Sequence, residues 1–145
     1  MFVGEYTPRL DDKGRLTLPA KIRAALEEDV VVLTKGQENC IAVYPQAEFR
    51  RVAAQLHARG RGEANRIMIR QLASGADEQP VDGQGRISVN TGLRGYARLD
   101  RACTVIGAIE HFEIWDAAAW TAYSTATEAR YSQAREDVFS TPGSD

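Results

Sequence analysis

The 145-residue chain is poor in the residues from which metal centres, disulfide frameworks and many active sites are built. It holds two cysteines, Cys40 and Cys103, and two histidines, His57 and His111. Two cysteines make no disulfide framework, and a structural zinc site would need four ligands from a chain that offers only these. Neither a metal nor any other cofactor is therefore expected. The carboxylates Asp11, Asp12 and Asp82 have no histidine near them in sequence. Gly-x-Ser-x-Gly and the P-loop Gly-Lys-Ser/Thr are also missing, so no catalytic residue and no enzyme is expected. No apolar run approaches the roughly 20 residues that a membrane-spanning helix requires, so a membrane is not an expected partner. The opening Met1-Phe2-Val3-Gly4-Glu5 has neither the basic start nor the apolar core of a secretory signal, and the expected location is the cytoplasm.

What is present is an ordinary globular composition, 43% hydrophobic and 26% charged, with room for one compact domain or two very small ones. The net charge is −2, which speaks against indiscriminate polyanion binding but not against a small basic face. Of the 18 basic residues, fifteen are arginine and three are lysine. They are unevenly spread. Arg50 to Arg70 carries six arginines against one acid, Glu63, while Glu110 to the end carries seven acids against two arginines.

The chain repeats itself at an offset of 71 residues. Asp11-Asp12-Lys13-Gly14-Arg15-Leu16-Thr17-Leu18 is echoed by Asp82-Gly83-Gln84-Gly85-Arg86-Ile87-Ser88-Val89, and without a gap the same offset pairs Arg23 with Arg94 and Ile41–Tyr44 with Phe112–Trp115. Only seven of forty pairs from Leu10–Phe49 are identical, but apolar character holds register near the motif and in the last strand, so a tandem duplication is expected.

Each copy reads as β-turn-β-α-β-turn-β followed by a helix. The glycine of Asp-x-x-Gly-Arg suits a turn that needs positive φ. Arg15–Leu18 alternates as a strand, Pro19 opens a short helix over Ala20–Leu26, and Val30–Leu33 and Cys40–Tyr44 are further strands. Pro45 ends the last strand. In the second copy Asn90 stands where the first has Pro19, and it can cap a helix starting at Thr91. One unit alone buries too little surface to be stable. The expected fold is α+β: the two units form one small β-barrel or sandwich with pseudo-two-fold symmetry. Outer helices are expected over Gln46–Ala73, broken at Gly60-Arg61-Gly62, and over Ala117–Arg135. Gly75 would end the first of these, and Ala76–Pro80 would link the copies. The domain reading is a first repeat over 5–47, a connecting helical segment over 48–76, a second repeat over 77–120, a C-terminal helix over 121–139 and a disordered tail over 140–145.

On these residues the chain resembles the MraZ family, within the AbrB-like, swapped-hairpin group of bacterial transcription factors. The matching elements are Met1–Tyr6, Asp11–Arg23, the second Asp-x-x-Gly-Arg at Asp82–Arg86, and Phe112–Asp116. The resemblance implies a swapped-hairpin type of barrel and an Asp-x-x-x-Arg motif in each half, here Asp11…Arg15 and Asp82…Arg86. It further implies a nucleoid-associated regulator that acts, often as a repressor, on the promoter of the division and cell-wall gene cluster. Ring-shaped homo-oligomers that present several motifs to repeated boxes in double-stranded DNA complete the picture. The second copy departs from the pattern at Val89-Asn90, where an apolar residue and proline are usual. Its Gly83 and Gln84 also carry less positive charge than Asp12-Lys13 around the tip, so weaker DNA contact is expected there.

The chemistry fits that implication. The planar fork of arginine can contact guanine O6 and N7 together in the major groove, which admits a two-stranded ribbon. Arg15 and Arg86 are the candidates for base reading, with Asp11 and Asp82 orienting them. Lys13, Arg9 and Gln84 are candidates for phosphate or groove contacts. The plain alternative is that Asp11–Arg15 is an ion pair that locks a turn. Arg23 and Arg94 fall on the short helices, where a salt bridge or a helix C-terminal charge is the ordinary use and DNA contact the alternative. The arginines of 50–70 fit a solvated face or a subunit interface, or else a second DNA surface. Tyr44, Phe49, Trp115 and Trp120 fit core packing. A rival function is an AbrB-like interaction module or antitoxin that binds a protein partner.

Overall fold

The computed structural model describes residues 1–134. The expected tail over 140–145 lies outside the described residues, and the last helix stops at Ser132, short of the expected Arg135. The elements, in chain order, are β1 (Glu5–Tyr6), β2 (Arg15–Thr17), α1 (Ala20–Ala25), β3 (Val30–Lys35), β4 (Ile41–Pro45), α2 (Gln46–Ala58), α3 (Glu63–Gly75), β5 (Asp77–Pro80), β6 (Arg86–Ser88), α4 (Thr91–Tyr96), β7 (Cys103–Gly107), β8 (Phe112–Asp116) and α5 (Ala117–Ser132). The chain is thus α+β, as expected, with five helices and antiparallel strands.

The strands pair differently from the closed barrel that was expected. Six of them form an open sheet in the order β1-β7-β8-β4-β3-β5, and β2 and β6 form a separate two-stranded ribbon. The sheet stays open because β2 and β6 pair with each other and not with its ends, and the end strands β1 and β5, of two and four residues, do not pair with one another. Read backwards, the sheet order is the same order with each strand replaced by its counterpart in the other half. The first strand of each half therefore pairs with the third strand of the other half. The central pairing of β4 with β8 joins Ile41 to Ile114 and Val43 to Phe112. The ribbon joins Arg15 to Ser88, Leu16 to Ile87 and Thr17 to Arg86.

Alternation along the strands builds three layers. Val31, Leu33, Ile41, Val43, Val105, Phe112 and Ile114 turn to one face of the sheet, where they meet Leu16, Ile22, Ile87 and Leu93 from the ribbon and the short helices. Val32 and Thr34 turn to the other face, where Thr34 donates to the Leu72 carbonyl of α3 at 2.7 Å. β3 is buried through Val31–Thr34, so it reads as an unbroken apolar run rather than as alternation. Fully burying one such aliphatic side chain stabilises the fold by about 1.5–3 kcal/mol.

The helix break falls at the expected place. Gly60 takes φ 94°, and the Asn65 amide donates to the carbonyls of Leu56 and Gly60, both at 2.7 Å, satisfying acceptors at the end of α2. One expectation is corrected. Ala76–Pro80 is not a plain link, because Asp77–Pro80 hydrogen-bonds along the edge of β3. Its polar sequence is tolerated because an edge strand keeps one side open, and Pro80 stands at its last position. Gly75 is the last residue of α3, as expected, and it packs closely on β3: a Cβ there would lie 3.2 Å from the Lys35 side chain and 3.3 Å from that of Thr34.

Candidate nucleic-acid interface on a two-stranded ribbon

The two Asp-x-x-x-Arg sequences form two copies of one hydrogen-bonded turn. Gly14 at φ 74° and Gly85 at φ 78° take the left-handed conformation that this turn requires. In the first copy the Gly14 amide donates to the Asp11 carbonyl at 3.0 Å and the Asp11 amide donates to the Arg15 carbonyl at 2.9 Å. Asp11 Oδ1 accepts from the amides of Lys13 and Arg15, both at 2.9 Å. Its Oδ2 accepts from Arg15 Nε at 2.8 Å. In the second copy Asp82 Oδ1 accepts from the amides of Gln84 and Arg86 at 2.9 Å, and Oδ2 from Arg86 Nε at 2.8 Å.

Each aspartate therefore shapes the turn and holds its arginine by Nε. The terminal Nη groups of Arg15 and Arg86 have no hydrogen-bond partner among the described residues and remain available as donors. Both side chains are partly exposed, at 30% and 24%. The Asp11 carboxyl is held down to about 2, chiefly by the Arg15 amide; partial desolvation opposes this, and the Arg15 guanidinium and Lys13 amide add to it. Asp82 is lowered by the same causes, led by the Arg86 amide. Both are carboxylates at neutral pH, so the clasp is charge-assisted.

The ribbon brings the two motifs together. Leu16 and Ile87 pair across it and are buried on one side. Arg15 and Thr17 of β2, and Arg86 and Ser88 of β6, take the opposite side by strand alternation. Lys13 and Gln84 sit exposed at the turn tips. Arg9 is exposed too, but it lies in an isolated bridge with Ala102 beyond the Leu10–Leu16 closure and not at a tip.

Sequence reasoning underrated Arg23 and Arg94. Both lie in the last turn of their helices, as expected. Each also packs on the turn of the other half: a Cβ on Gly14 would lie 3.0 Å from Arg94 Cζ, and one on Gly85 would lie 2.9 Å from Arg23 Nη1. Their identity across the repeat was the available signal, but it does not say which turn each one meets.

Other candidate residues take packing roles. Trp115 meets Trp120 edge-on and Tyr123 at a tilt, at centroid distances of 5.2 and 5.0 Å, and Tyr44 packs on Phe49 at 5.9 Å. His111 stacks on Tyr44 and bonds Glu113 at 3.0 Å. Cys40 and Cys103 are free and buried. Burial pushes both thiols up, Cys103 to about 11, so neither is a ready nucleophile. Among the described residues no group of three or more His, Cys, Asp or Glu is placed to hold a metal ion. No described helix is long and apolar enough to cross a membrane.

Comparison with known proteins gives a consistent result. The family model described as "MraZ protein, putative antitoxin-like" matches residues 1–70 and again 72–141. A protein of Corynebacterium efficiens named transcriptional regulator MraZ is 52% identical over 139 residues, covering 95% of this chain and 96% of that one. Its namesake in Corynebacterium diphtheriae is 53% identical over 135 residues, covering 92% and 94%. A namesake from a Mycobacterium species is 50% identical over 140 residues, covering 95% and 96%. These relatives carry the name of a regulator and not that of an enzyme.

Proposed function

The chain belongs to the MraZ family, and from that premise we propose that it is a sequence-specific transcriptional regulator that reads double-stranded promoter DNA with its two-stranded ribbon. The observation that carries the proposal is the pair of Asp-clamped arginines, Arg15 and Arg86, on one side of the ribbon. A ribbon of this width enters the major groove, and an arginine fixed by Nε still offers its Nη donors to guanine O6 and N7. Holding the guanidinium in advance reduces the entropy lost on binding. Lys13 and Gln84 at the tips, and Arg9 nearby, contact the phosphates or the groove and set the register.

One ribbon is not enough. A bidentate arginine–guanine contact gives about 1–3 kcal/mol of discrimination. Specific sites need roughly 4–10 kcal/mol over non-specific binding. Several ribbons must act together on repeated boxes, which calls for a homo-oligomer, and the ring suggested by the family likeness meets that need. Two exposed apolar groups are candidate contacts between copies: Met1, Val3 and Ile109 at the β1 end of the sheet, and Ile67 and Met68 on α3. The exchange of first strands between the halves is read as the swapped-hairpin arrangement of a duplicated unit. The target is the promoter of the division and cell-wall gene cluster, acted on as a repressor by a cytoplasmic, nucleoid-associated protein.

The test is fluorescence anisotropy with the DNA upstream of the chain's own gene against a shuffled duplex. Wild type should prefer its own duplex. Arg15→Ala should remove roughly ten- to a hundredfold of that preference with the oligomer intact, and Arg86→Ala should remove less. If neither duplex is preferred, the clasp only locks a turn. The antitoxin-like reading, favoured by the exposed Ile67 and Met68, would then call for a protein partner.

A further inference from the structure

The two turns are alike, but the residues contributed beside them by the other half differ in charge. Beside the first turn, a cleft of about 520 Å³ opens between Asp11 and Asp12 on one wall and α4 with its following loop on the other. Arg94, Arg98 and Arg101 line it, with Asp100 as the acid of that wall. These arginines come from the second half of the chain, although the turn belongs to the first. Arg94 lies over the Gly14 turn, and its Nε is buried without a hydrogen-bond partner among the described residues. One Arg94 terminal nitrogen donates to Thr91 Oγ1 at 3.1 Å. Arg98 is exposed at φ 52°, and its side chain makes no hydrogen bond among the described residues. Arg101 is held outward by Asp12 at 2.5 Å, in a pair that is 63% and 80% exposed.

The equivalent positions beside the second turn do not repeat this. Arg23 matches Arg94 and Gly83 stands for Asp12, but Asp29, whose carbonyl accepts from the Val81 amide, stands where the Arg101 carbonyl accepts from the Leu10 amide. The loop between α1 and β3 is one residue shorter than that between α4 and β7 and carries the acids Glu27 and Glu28 as well. The Nε of Arg94 is shut in under the Gly14 turn, but its other terminal nitrogen has no hydrogen-bond partner among the described residues and remains available as a donor. Three guanidinium groups around one open cleft suit an oxyanion with several acceptor oxygens, and arginine forks match phosphate well.

We propose that this cleft is a seat for a DNA backbone phosphate beside the base read by Arg15, built in trans by Arg94, Arg98 and Arg101, and that the second turn has no such seat. The proposal rests on the reading of the ribbon as the DNA-binding element. Asp12 acts as an internal stand-in for the phosphate: it holds Arg101 in the free protein and yields it when the duplex arrives. An exposed ion pair of this kind is weak, so the exchange is easily made.

The test is the salt dependence of binding to the chain's own upstream duplex and to a shuffled one. Arg98→Asn removes the charge with a residue that accepts positive φ, so folding is spared. It should weaken both duplexes by the same factor and lower the slope of log affinity against log salt by about 0.9 for each ribbon engaged. Asp12→Asn should free Arg101 and tighten both duplexes. Asp29→Arg should place a guanidinium beside the second turn where Arg101 stands beside the first, and steepen the slope by about 0.9 for each ribbon engaged. Oligomeric mass and thermal unfolding serve as controls for each variant. If Arg98→Asn leaves affinity and slope at wild-type values while wild type still prefers its own duplex, the seat is wrong and the base reading survives. A loss confined to the own duplex, with the slope unchanged, would assign Arg98 to a base and also overturn the seat. If wild type shows no salt-dependent binding to either duplex, both readings fall together.

Discussion

The turn at Asp11–Arg15 and the turn at Asp82–Arg86 share five hydrogen bonds, and their lengths agree to within 0.1 Å. What surrounds them does not agree. Asp12 pairs with Arg101 beside the first turn, where the second has Gly83 and Asp29. The helix after the first strand of the ribbon starts from Pro19 with no side-chain cap. The helix after the second starts from Asn90, whose side chain accepts from the Leu93 amide at 2.8 Å. Three residue types, Asp, Gly and Arg, set the geometry of the turn locally, and everything that tunes its charge and anchorage lies at positions that differ between the halves. The same arginine fork can therefore be presented twice with different strength.

The comparison breaks most readily at the centre of the ribbon. Leu16 and Ile87 face each other across it, 0% and 1% exposed, and each anchors its own turn. Leu16→Ala and Ile87→Ala should each cost about 2–5 kcal/mol in urea unfolding. Because they share one packing site, the double variant should cost less than the sum. Near-equal single costs would mean that the halves carry the fold alike. A cost concentrated in one of them would mean that one half nucleates the ribbon and the other follows.

Much of this symmetry was legible in the sequence. The offset that aligns the two Asp-x-x-Gly-Arg runs also carries β2 onto β6, α1 onto α4 and β4 onto β8, residue for residue. Such matches survive because turn glycines, caps and apolar periods are local signals. The partners of each strand were not legible. Nothing in Asp77-Glu78-Gln79-Pro80 marks an edge strand of the opposite half, because that pairing uses only backbone groups. The site shows the same division. Asp11, Arg15, Asp82 and Arg86 sit as the spacing required, since each aspartate reaches its own arginine four residues on. Arg94 over Gly14 and Arg23 over Gly85 were hidden, because those contacts cross between halves and periodicity reports burial, not the identity of the neighbour.

A smaller effect separates the two helix starts. Asn90→Ala should cost about 0.5–2 kcal/mol, because it removes the cap of α4. It also removes the bond from the Asn90 amide to Asp77 at 3.0 Å, which ties α4 to β5. Pro19→Ala removes no cap and loses only the fixed φ of the proline, an effect of up to about 1 kcal/mol. Asn90→Ser should recover most of the difference if the cap matters more than the tie. If Asn90→Ala and Pro19→Ala cost the same, the asparagine adds nothing beyond filling its position.

The smallest expected difference lies in the acid titration of the two clasps. Both aspartates ionise more easily in the folded chain than the ordinary value of 3.8, and Asp11 does so at about 2. A carboxyl whose folded value is depressed contributes stability above its unfolded value, and that contribution fades as pH falls from near 4 toward 2. Between pH 5 and 8 the clasp is therefore constant, and any change in DNA preference over that range must come from other groups. Carboxyl-carbon NMR titration should place both midpoints below 3.8, with the Arg15 and Arg86 Nε–H signals shifting in step with their own aspartates. In Arg15→Ala the Asp11 midpoint should rise only part of the way, since the amides of residues 13 and 15 still donate to it and the Arg15 amide is its largest influence. A full return to the ordinary value would mean that the guanidinium, and not the backbone, shapes the turn, and the clasp would then depend on the very side chain it is meant to present.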